Sequence, residues 1–294
     1  MNATNQTTLH LALPKGRMQQ GILALLSESG INVGLSKRGY RPTVSLPNVE
    51  TKILKPQNIV EMLQLGSRDV GFAGADWVQE LKATGPDGIV EILDTGLDPV
   101  QVVAAAPSNL LENAKLPQRK LRVATEYQTM AKSWLEEQNI DADIVRAYGA
   151  TEVFPPEDAD FIVDNTATGA TLRDNDLQII GQLMTSSTRM YASRQAMDNP
   201  QKRERIEALK LLANAVLAGR RRVMLEVNVA AEQLEAVTSA LPAMQKPTVA
   251  SLFGDAGYAV RAAVLREELP SLIPKIKTCG GRDIVVSNLD QIVP

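Results

Sequence analysis

The chain has 294 residues, 44% of them hydrophobic, and a formal net charge of −3; that is enough apolar material for a sizeable core in two or three domains. Aromatics at 4% and a slightly acidic balance argue against a stacking platform or a basic surface for nucleic acid. One cysteine, Cys279, excludes an intramolecular disulfide and a cysteine zinc site, and one histidine, His10, excludes a histidine-rich metal site. The polar start, Asn2 to Thr8, has no signal-peptide core, and no apolar run approaches the roughly 20 residues that span a bilayer. A soluble cytoplasmic protein is the expectation.

In chain order, Leu9–Leu13 reads as a short strand containing His10. A turn, Pro14-Lys15-Gly16-Arg17, leads to an amphipathic helix from Met18 to Ser29, closed by Gly30. Two cations on a glycine turn between strand and helix suit an anionic ligand, although a solvated basic turn has the same composition. Gly34–Val49 is polar and basic (Lys37, Arg38, Arg41) and ends in strand-like alternation. A strand then runs from Lys52 to Pro56 and a helix over Gln57–Leu65. Val70–Ala73 is a buried strand whose glycine turn enters a helix near Asp76, for which a capping role is the plainer reading.

Val100–Ala106 has the continuous apolar character of a central strand. Ser108–Gln118 reads as helix and loop. Leu121–Ala124 is a strand running into Thr125-Glu126-Tyr127 and a helix over Met130–Gln138. Ile144–Arg146 is another strand, with a turn at Gly149–Glu152. Gln178–Gln182 and Ser187–Ala192 read as two further strands, and Gln201–Ala218 as an amphipathic helix. Repeated strand–helix units of this kind indicate parallel sheets flanked by helices.

The stretch with the most chemistry is Phe161–Leu172. An apolar strand end, Phe161–Val163, is followed by Asp164, then Thr166, Ala167, Thr168, Gly169, Ala170 and Thr171, with a helix expected near Thr171. Hydroxyls, a close-approach glycine and free helix N–H groups make a phosphate cradle. The neighbouring carboxylate suits a ribose hydroxyl or a Mg²⁺-bound water. An ordinary strand–turn–helix with a threonine cap is the competing reading. Beyond a basic boundary at Gly219–Arg222, the order is strand (Arg222–Val229), helix (Ala231–Leu241), strand (Pro247–Leu252), strand (Tyr258–Leu265), helix (Leu269–Lys277) and strand (Arg282–Ser287). This is the ferredoxin-like βαββαβ plan.

Taken together, Leu13-Pro14-Lys15-Gly16-Arg17, Asp69-Val70-Gly71 with Gly74, Arg122-Val123-Ala124-Thr125, Asp164 with Thr168-Gly169-Ala170-Thr171-Leu172, and Lys246-Pro247-Thr248 resemble the ATP phosphoribosyltransferases in their long form, over nearly the whole chain. The resemblance implies an α/β fold: a two-lobed catalytic unit like type II periplasmic binding proteins plus a C-terminal ferredoxin-like, ACT-like regulatory domain. It implies lobe I at residues 1–98 with 188–218, lobe II at 99–187 carrying the phosphate loop, a regulatory domain at 219–294, and crossovers near 97–100 and 184–192. The implied reaction moves a 5-phosphoribosyl group from phosphoribosyl pyrophosphate to N1 of ATP, the first step of histidine biosynthesis, with histidine as feedback inhibitor.

Residue by residue, the resemblance gives Lys15, Arg17 and Glu126 catalytic roles. It gives substrate binding to Gly16, Lys55, Asp76, Thr125, Tyr127, Asp164 and the loop Thr166–Thr171. A histidine pocket maps onto Asn228, Met244, Thr248 and Asp283. Mg²⁺ is implied, held mainly by substrate phosphates, as is a homo-oligomer (dimer or hexamer). Lys55, Gln57, Asn58 and Gln128 depart from the family pattern, and Gln128, standing where proline is frequent, is expected to loosen its turn. Two competing readings are a prephenate dehydratase, whose Thr-Arg-Phe motif has only Thr188-Arg189-Met190 as a counterpart, and a non-catalytic protein that binds a phosphorylated ligand.

Overall fold

The computed structural model describes residues 7–35, 39–111, 115–242 and 246–293. The chain forms two compact units, Met1–Ser27 with Ile31–Lys210 and Glu28–Gly30 with Leu211–Pro294. The larger unit opens with β1 (Leu9–Pro14), α1 (Arg17–Glu28), a two-residue pair β2 (Val33–Gly34) and β3 (Thr43–Val44), β4 (Val49–Leu54), α2 (Pro56–Gln64), β5 (Val70–Gly74) and α3 (Ala75–Glu80). It continues with β6 (Val90–Pro107), β7 (Leu121–Thr125), α4 (Gln128–Gln138), β8 (Ala142–Arg146), β9 (Phe161–Thr166), α5 (Ala170–Asp174), β10 (Leu177–Ala192) and α6 (Arg194–Asp198). The division between the units falls inside α7 (Pro200–Arg221).

Eight strands make one sheet in the order β4-β1-β5-β10-β6-β9-β7-β8. β1 pairs parallel with β4 and β5, and β7 pairs parallel with β8 and β9. The antiparallel strands β6 and β10 join the two parallel halves, pairing with each other from Val90↔Ala192 to Pro107↔Leu177. Apolar runs bury this sheet: Leu9, Leu11, Leu13, Val70, Val102, Val123, Phe161 and Val163 are all at most 2% exposed. In parallel βα units the C-terminal strand ends gather at one edge, and their connecting turns present side chains and free N–H groups there. The turns after β1, β4, β5, β7 and β9 are the segments that carry the candidate site residues. At the other end of the strands, buried Asp69 accepts from the His10 N–H at 2.7 Å and pairs with Lys202 Nζ at 2.7 Å, fastening α7 to the sheet.

Several elements differ from the expectation. The central strand expected at Val100–Ala106 begins at Val90, and the two expected strands, Gln178–Gln182 and Ser187–Ala192, are one continuous β10. Both long strands carry bulges, with register shifts at five places along their pairing, so polar and glycine positions remain inside the ladder. The helix expected in Ser108–Gln118 is, among the described residues, only a 3-10 turn at Ser108–Leu110. β9 continues past Val163 to Thr166, so Asp164 sits on the strand rather than after it.

In the smaller unit, β11 (Arg222–Val229), α8 (Leu234–Ala240), β12 (Thr248–Ser251), β13 (Tyr258–Leu265), α9 (Leu269–Thr278) and β14 (Arg282–Asn288) form the ferredoxin-like βαββαβ plan, with sheet order β12-β13-β11-β14. Alternation along β11 buries Val223, Leu225, Val227 and Val229 with Val237 of α8 and Leu272 and Ile276 of α9. The boundary expected at Gly219–Arg222 is no solvated linker. α7 continues through Arg221, β11 starts at the next residue, and the Arg220 guanidinium donates two 2.8 Å bonds to Glu28.

Candidate active site

A cavity of about 400 Å³ opens at the C-terminal strand ends of the larger unit. It is lined by Arg17, Glu126, Gly149, Thr151, Glu152, Ile162, Asp164, Asn165, Thr166, Ala167, Thr168, Ala170, Thr171 and Leu172. The turn after β1 and the threonine loop after β9, 150 residues apart in the chain, thus face one space. Arg17 is the first residue of α1, and Lys15 just before it is exposed, its Nζ 5.2 Å from the centre of the Tyr40 ring. Gly16 takes φ +88° in this turn.

The threonine loop is built from short local bonds. Thr166 Oγ1 accepts the Gly169 N–H at 3.0 Å, and Arg173 Nη1 donates to the Thr168 carbonyl at 3.0 Å. Gly169 is the N-cap of α5 at φ +72°, a conformation that costs any L residue with a Cβ about 1–2 kcal/mol. A Cβ there would meet only the end of the Arg173 side chain at 3.0 Å, so backbone conformation rather than space selects glycine.

Asp164 is the ionisable centre of the cavity. Its Oδ1 accepts the Asn165 N–H at 2.6 Å and its Oδ2 accepts the Thr151 hydroxyl. Burial pushes its carboxyl up to about 6, and the Glu126 and Glu152 charges add to the rise, against the lowering effect of the Thr151 and Asn165 bonds. Glu126, half-buried, is also pushed up by burial, with Lys55 and Arg146 pulling the other way. Lys55 therefore stands within electrostatic reach of the cavity without lining it.

Three residues expected to touch substrate are buried instead: Thr125 and Tyr127 are 0% exposed and Asp76 is 5% exposed. Thr125 Oγ1 accepts the Tyr127 N–H at 2.8 Å. Asp76 does not cap α3, whose N-cap is Gly74 with no side-chain bond. Its carboxylate accepts the Tyr127 hydroxyl at 2.6 Å and the Ser186 hydroxyl at 2.7 Å. It also lies so close over Gly74 that a Cβ at that position would be 2.0 Å from Oδ1. Burial, followed by the Asp76 charge, pushes the Tyr127 phenol far above its ordinary range, so it stays a donor. Trp77 stacks on Tyr127 with ring centroids 4.8 Å apart. Glu80 accepts the Thr129 and Met130 N–H groups at 2.8 and 3.0 Å, capping α4 from outside. The turn at Gln128 is therefore pinned rather than loosened.

Sequence reasoning assigned no role to Asn165, Thr151, Glu152 or Arg146. Thr151 and Glu152 had a readable signal, a second glycine–threonine turn at Gly149-Ala150-Thr151 after a parallel strand. In the smaller unit, Asn228 Nδ2 donates to Asp283 Oδ2 at 3.2 Å, and Asp283 occupies a bulge at φ +48°. Thr248 begins β12, two strands from β11, and Met244 lies outside the described residues. The triplet Thr188-Arg189-Met190 lies on β10, where Arg189 pairs with Glu91 at 2.8 Å and Asp94 at 3.3 Å, and none of the three lines the cavity. No helix among the described residues is long and apolar enough to cross a membrane.

The ATP phosphoribosyltransferase family model matches residues 55–214, and the model for the family's C-terminal domain matches residues 219–291. ATP phosphoribosyltransferases from Chlorobium phaeovibrioides and Chlorobium luteolum are 32% and 33% identical to the chain, covering 99% and 97% of both partners. One from Pelotomaculum thermopropionicum is 31% identical over 97% of this chain and 99% of its own. Among solved structures, an ATP phosphoribosyl transferase (HisG:HisZ) complex from Thermotoga maritima shares the fold, with a TM-score of 0.61 at 21% identity over 70% of this chain and 99% of that one. The chain belongs to the ATP phosphoribosyltransferase family.

Proposed function

We propose that the chain transfers the 5-phosphoribosyl group of phosphoribosyl pyrophosphate to N1 of ATP, releasing pyrophosphate and giving phosphoribosyl-ATP, the first step of histidine biosynthesis. The observation that carries this reading is that Arg17, Asp164 and residues of the Thr166–Thr171 loop line one cavity. Its volume falls within the range of small-molecule sites. Both substrates are polyanions, which calls for cations and oriented donors rather than an acid–base pair.

In this reading the threonine hydroxyls and backbone N–H groups of the loop bind the sugar's 5-phosphate, with Gly169 allowing close approach. Asp164 accepts from a ribose hydroxyl. Arg17 and Lys15 face the pyrophosphate and offset the charge it gains as the C1–O bond breaks. Glu126 lies where a carboxylate opposes the positive charge that develops on the ribose. N1 of adenine attacks with its own lone pair and needs no base. Holding it against C1 supplies at best about 7–11 kcal/mol. Asp76, Thr125 and Tyr127 serve the site from behind its wall, and Lys55 and Gly16 act from its rim.

Among the described residues no group of three His, Cys, Asp or Glu side chains could form a metal cage. Glu126, Glu152 and Asp164 do offer single carboxylates at the cavity, a donor set that fits Mg²⁺ arriving on substrate phosphates. Mg²⁺ so bound would neutralise charge on the departing pyrophosphate. The catalytic part is proposed to work as two lobes, residues 1–98 with 188–218 and residues 99–187, with residues 219–294 as a histidine-binding module around Asn228 and Asp283. A cytoplasmic homo-oligomer, dimer or hexamer, completes the reading. The test is to mix purified protein with ATP, phosphoribosyl pyrophosphate and Mg²⁺ and follow the ultraviolet absorbance of phosphoribosyl-ATP. Silence there, with prephenate consumed instead, would replace this reading by the dehydratase one.

A further inference from the structure

We infer that Asn165 is a positioning residue for the transfer: its carboxamide, shared between the Tyr127 hydroxyl and Asp164, holds the acid that meets the sugar. This rests on the phosphoribosyl-transfer reading of the cavity. Tyr127 has one phenolic proton, and Asp76 Oδ2 takes it at 2.6 Å. The Tyr127 oxygen can then only accept, so the group facing it must be a donor. Asn165 Nδ2 lies 2.8 Å away, which fixes the NH₂ end of the carboxamide toward Tyr127. The same NH₂ is 3.3 Å from Asp164 Oδ1, an oxygen that also accepts the Asn165 backbone N–H at 2.6 Å.

The result is an unbroken hydrogen-bonded chain, Ser186–Asp76–Tyr127–Asn165–Asp164–Thr151. Its middle is rigid. Tyr127 is fully buried against Trp77, and the start of α4 beside it is clamped by Glu80. Its far end is the cavity-lining side of β9, where Asp164 is partly buried and Asn165 is exposed. Asn165 thus transfers the rigidity of a buried anchor to a carboxylate on the cavity wall. Asn165 occupies both acceptor positions of Asp164 Oδ1, and Oδ2, engaged by the Thr151 hydroxyl, retains a second acceptor position for a ribose hydroxyl. Conversion of residue 165 to aspartate would keep the shape but set an acceptor against the Tyr127 acceptor and a second negative charge against Asp164.

The test is steady-state kinetics of the full-length protein and of Asn165→Ala, Asn165→Asp, Tyr127→Phe and the Asn165→Ala/Tyr127→Phe double variant, with each substrate varied in turn. Asn165→Ala is expected to raise the KM for phosphoribosyl pyrophosphate about tenfold, the low end for loss of an orienting partner, with a smaller fall in kcat and little change in the KM for ATP. Asn165→Asp should be worse than Asn165→Ala. The double variant should fall short of the sum of the two single effects, because both cut the Tyr127–Asn165 link. An unchanged KM in Asn165→Ala, a wild-type-like Asn165→Asp, or additive effects in the double variant would overturn the inference while leaving the reaction assignment intact. A wild-type protein that makes no phosphoribosyl-ATP would remove the assignment itself, and this inference with it.

Discussion

Replacing Asp164 by asparagine should make the substrate-free protein more stable and far less active. In the fold the Asp164 carboxyl titrates at about 6, against an ordinary value of 3.8. Between those values the native chain holds a proton that the unfolded chain has released, so stability falls as pH rises through this window. Above it the full cost of the buried charge is present, about 3 kcal/mol at 1.36 kcal/mol per pH unit. Asparagine has no such charge. Its oxygen can keep the Asn165 bonds and its NH₂ can donate to the Thr151 hydroxyl oxygen, so the local bonds survive in weaker, uncharged form. Allowing for that weakening, a gain of about 2 kcal/mol remains, or about 4–8 °C in Tm for a unit of this size. Thermal melts of both proteins without substrate at about pH 8 and about pH 4 should show the gain at the higher pH and its loss at the lower. A variant that melts below wild type at the higher pH, or a gain of the same size at both, would refute the reasoning. In the same variant kcat/KM should fall by about a hundredfold, the scale of losing one charge aimed at the reacting centre.

Glu80→Ala strips the acceptor from two N–H groups at the start of α4, and should lower stability by about 2 kcal/mol, read as a lower Tm. Gly169→Ala forces a Cβ into φ +72° and should raise the KM for phosphoribosyl pyrophosphate severalfold, with Tm lowered by a few degrees, the scale of a backbone cost of about 1–2 kcal/mol. Asp283→Gly removes a carboxylate from a bulge at φ +48° without adding backbone strain; inhibition by histidine should be lost and turnover kept, and surviving inhibition would place the effector elsewhere.

What was legible in the sequence is what local patterning dictates. Alternation along Arg222–Val229 gave the face that packs on α8 and α9, and the apolar runs gave β1, β5, β7 and the start of β9. β6 was read short because Asp94, Gly96, Asp98 and Pro99 are turn formers by local preference, and β10 was read as two strands separated by residues 183–186. Each strand is kept extended by its partner's ladder, with bulges absorbing the misfits. The motif turns were read as sites, yet burial could not be: Asp76, Thr125 and Tyr127 lie at strand-to-helix junctions but are buried with their polar atoms bonded inside the protein. The Asp76 carboxylate meets partners 51 and 110 residues away, a pairing that no periodicity encodes. Asn165 escaped notice for the same reason, since its significance comes from a tyrosine 38 residues earlier.

The central claim is that the bend after β9 grips the terminal phosphate of a phosphoribosyl donor. Calorimetric titration of wild type, Thr168→Ala and Thr171→Ala with phosphoribosyl pyrophosphate and, separately, with ATP tests it directly. Each variant should weaken the sugar phosphate by about tenfold, the loss of one charge-assisted hydrogen bond, and leave ATP nearly unchanged. Equal losses for both ligands would mean that the phosphate lies somewhere else.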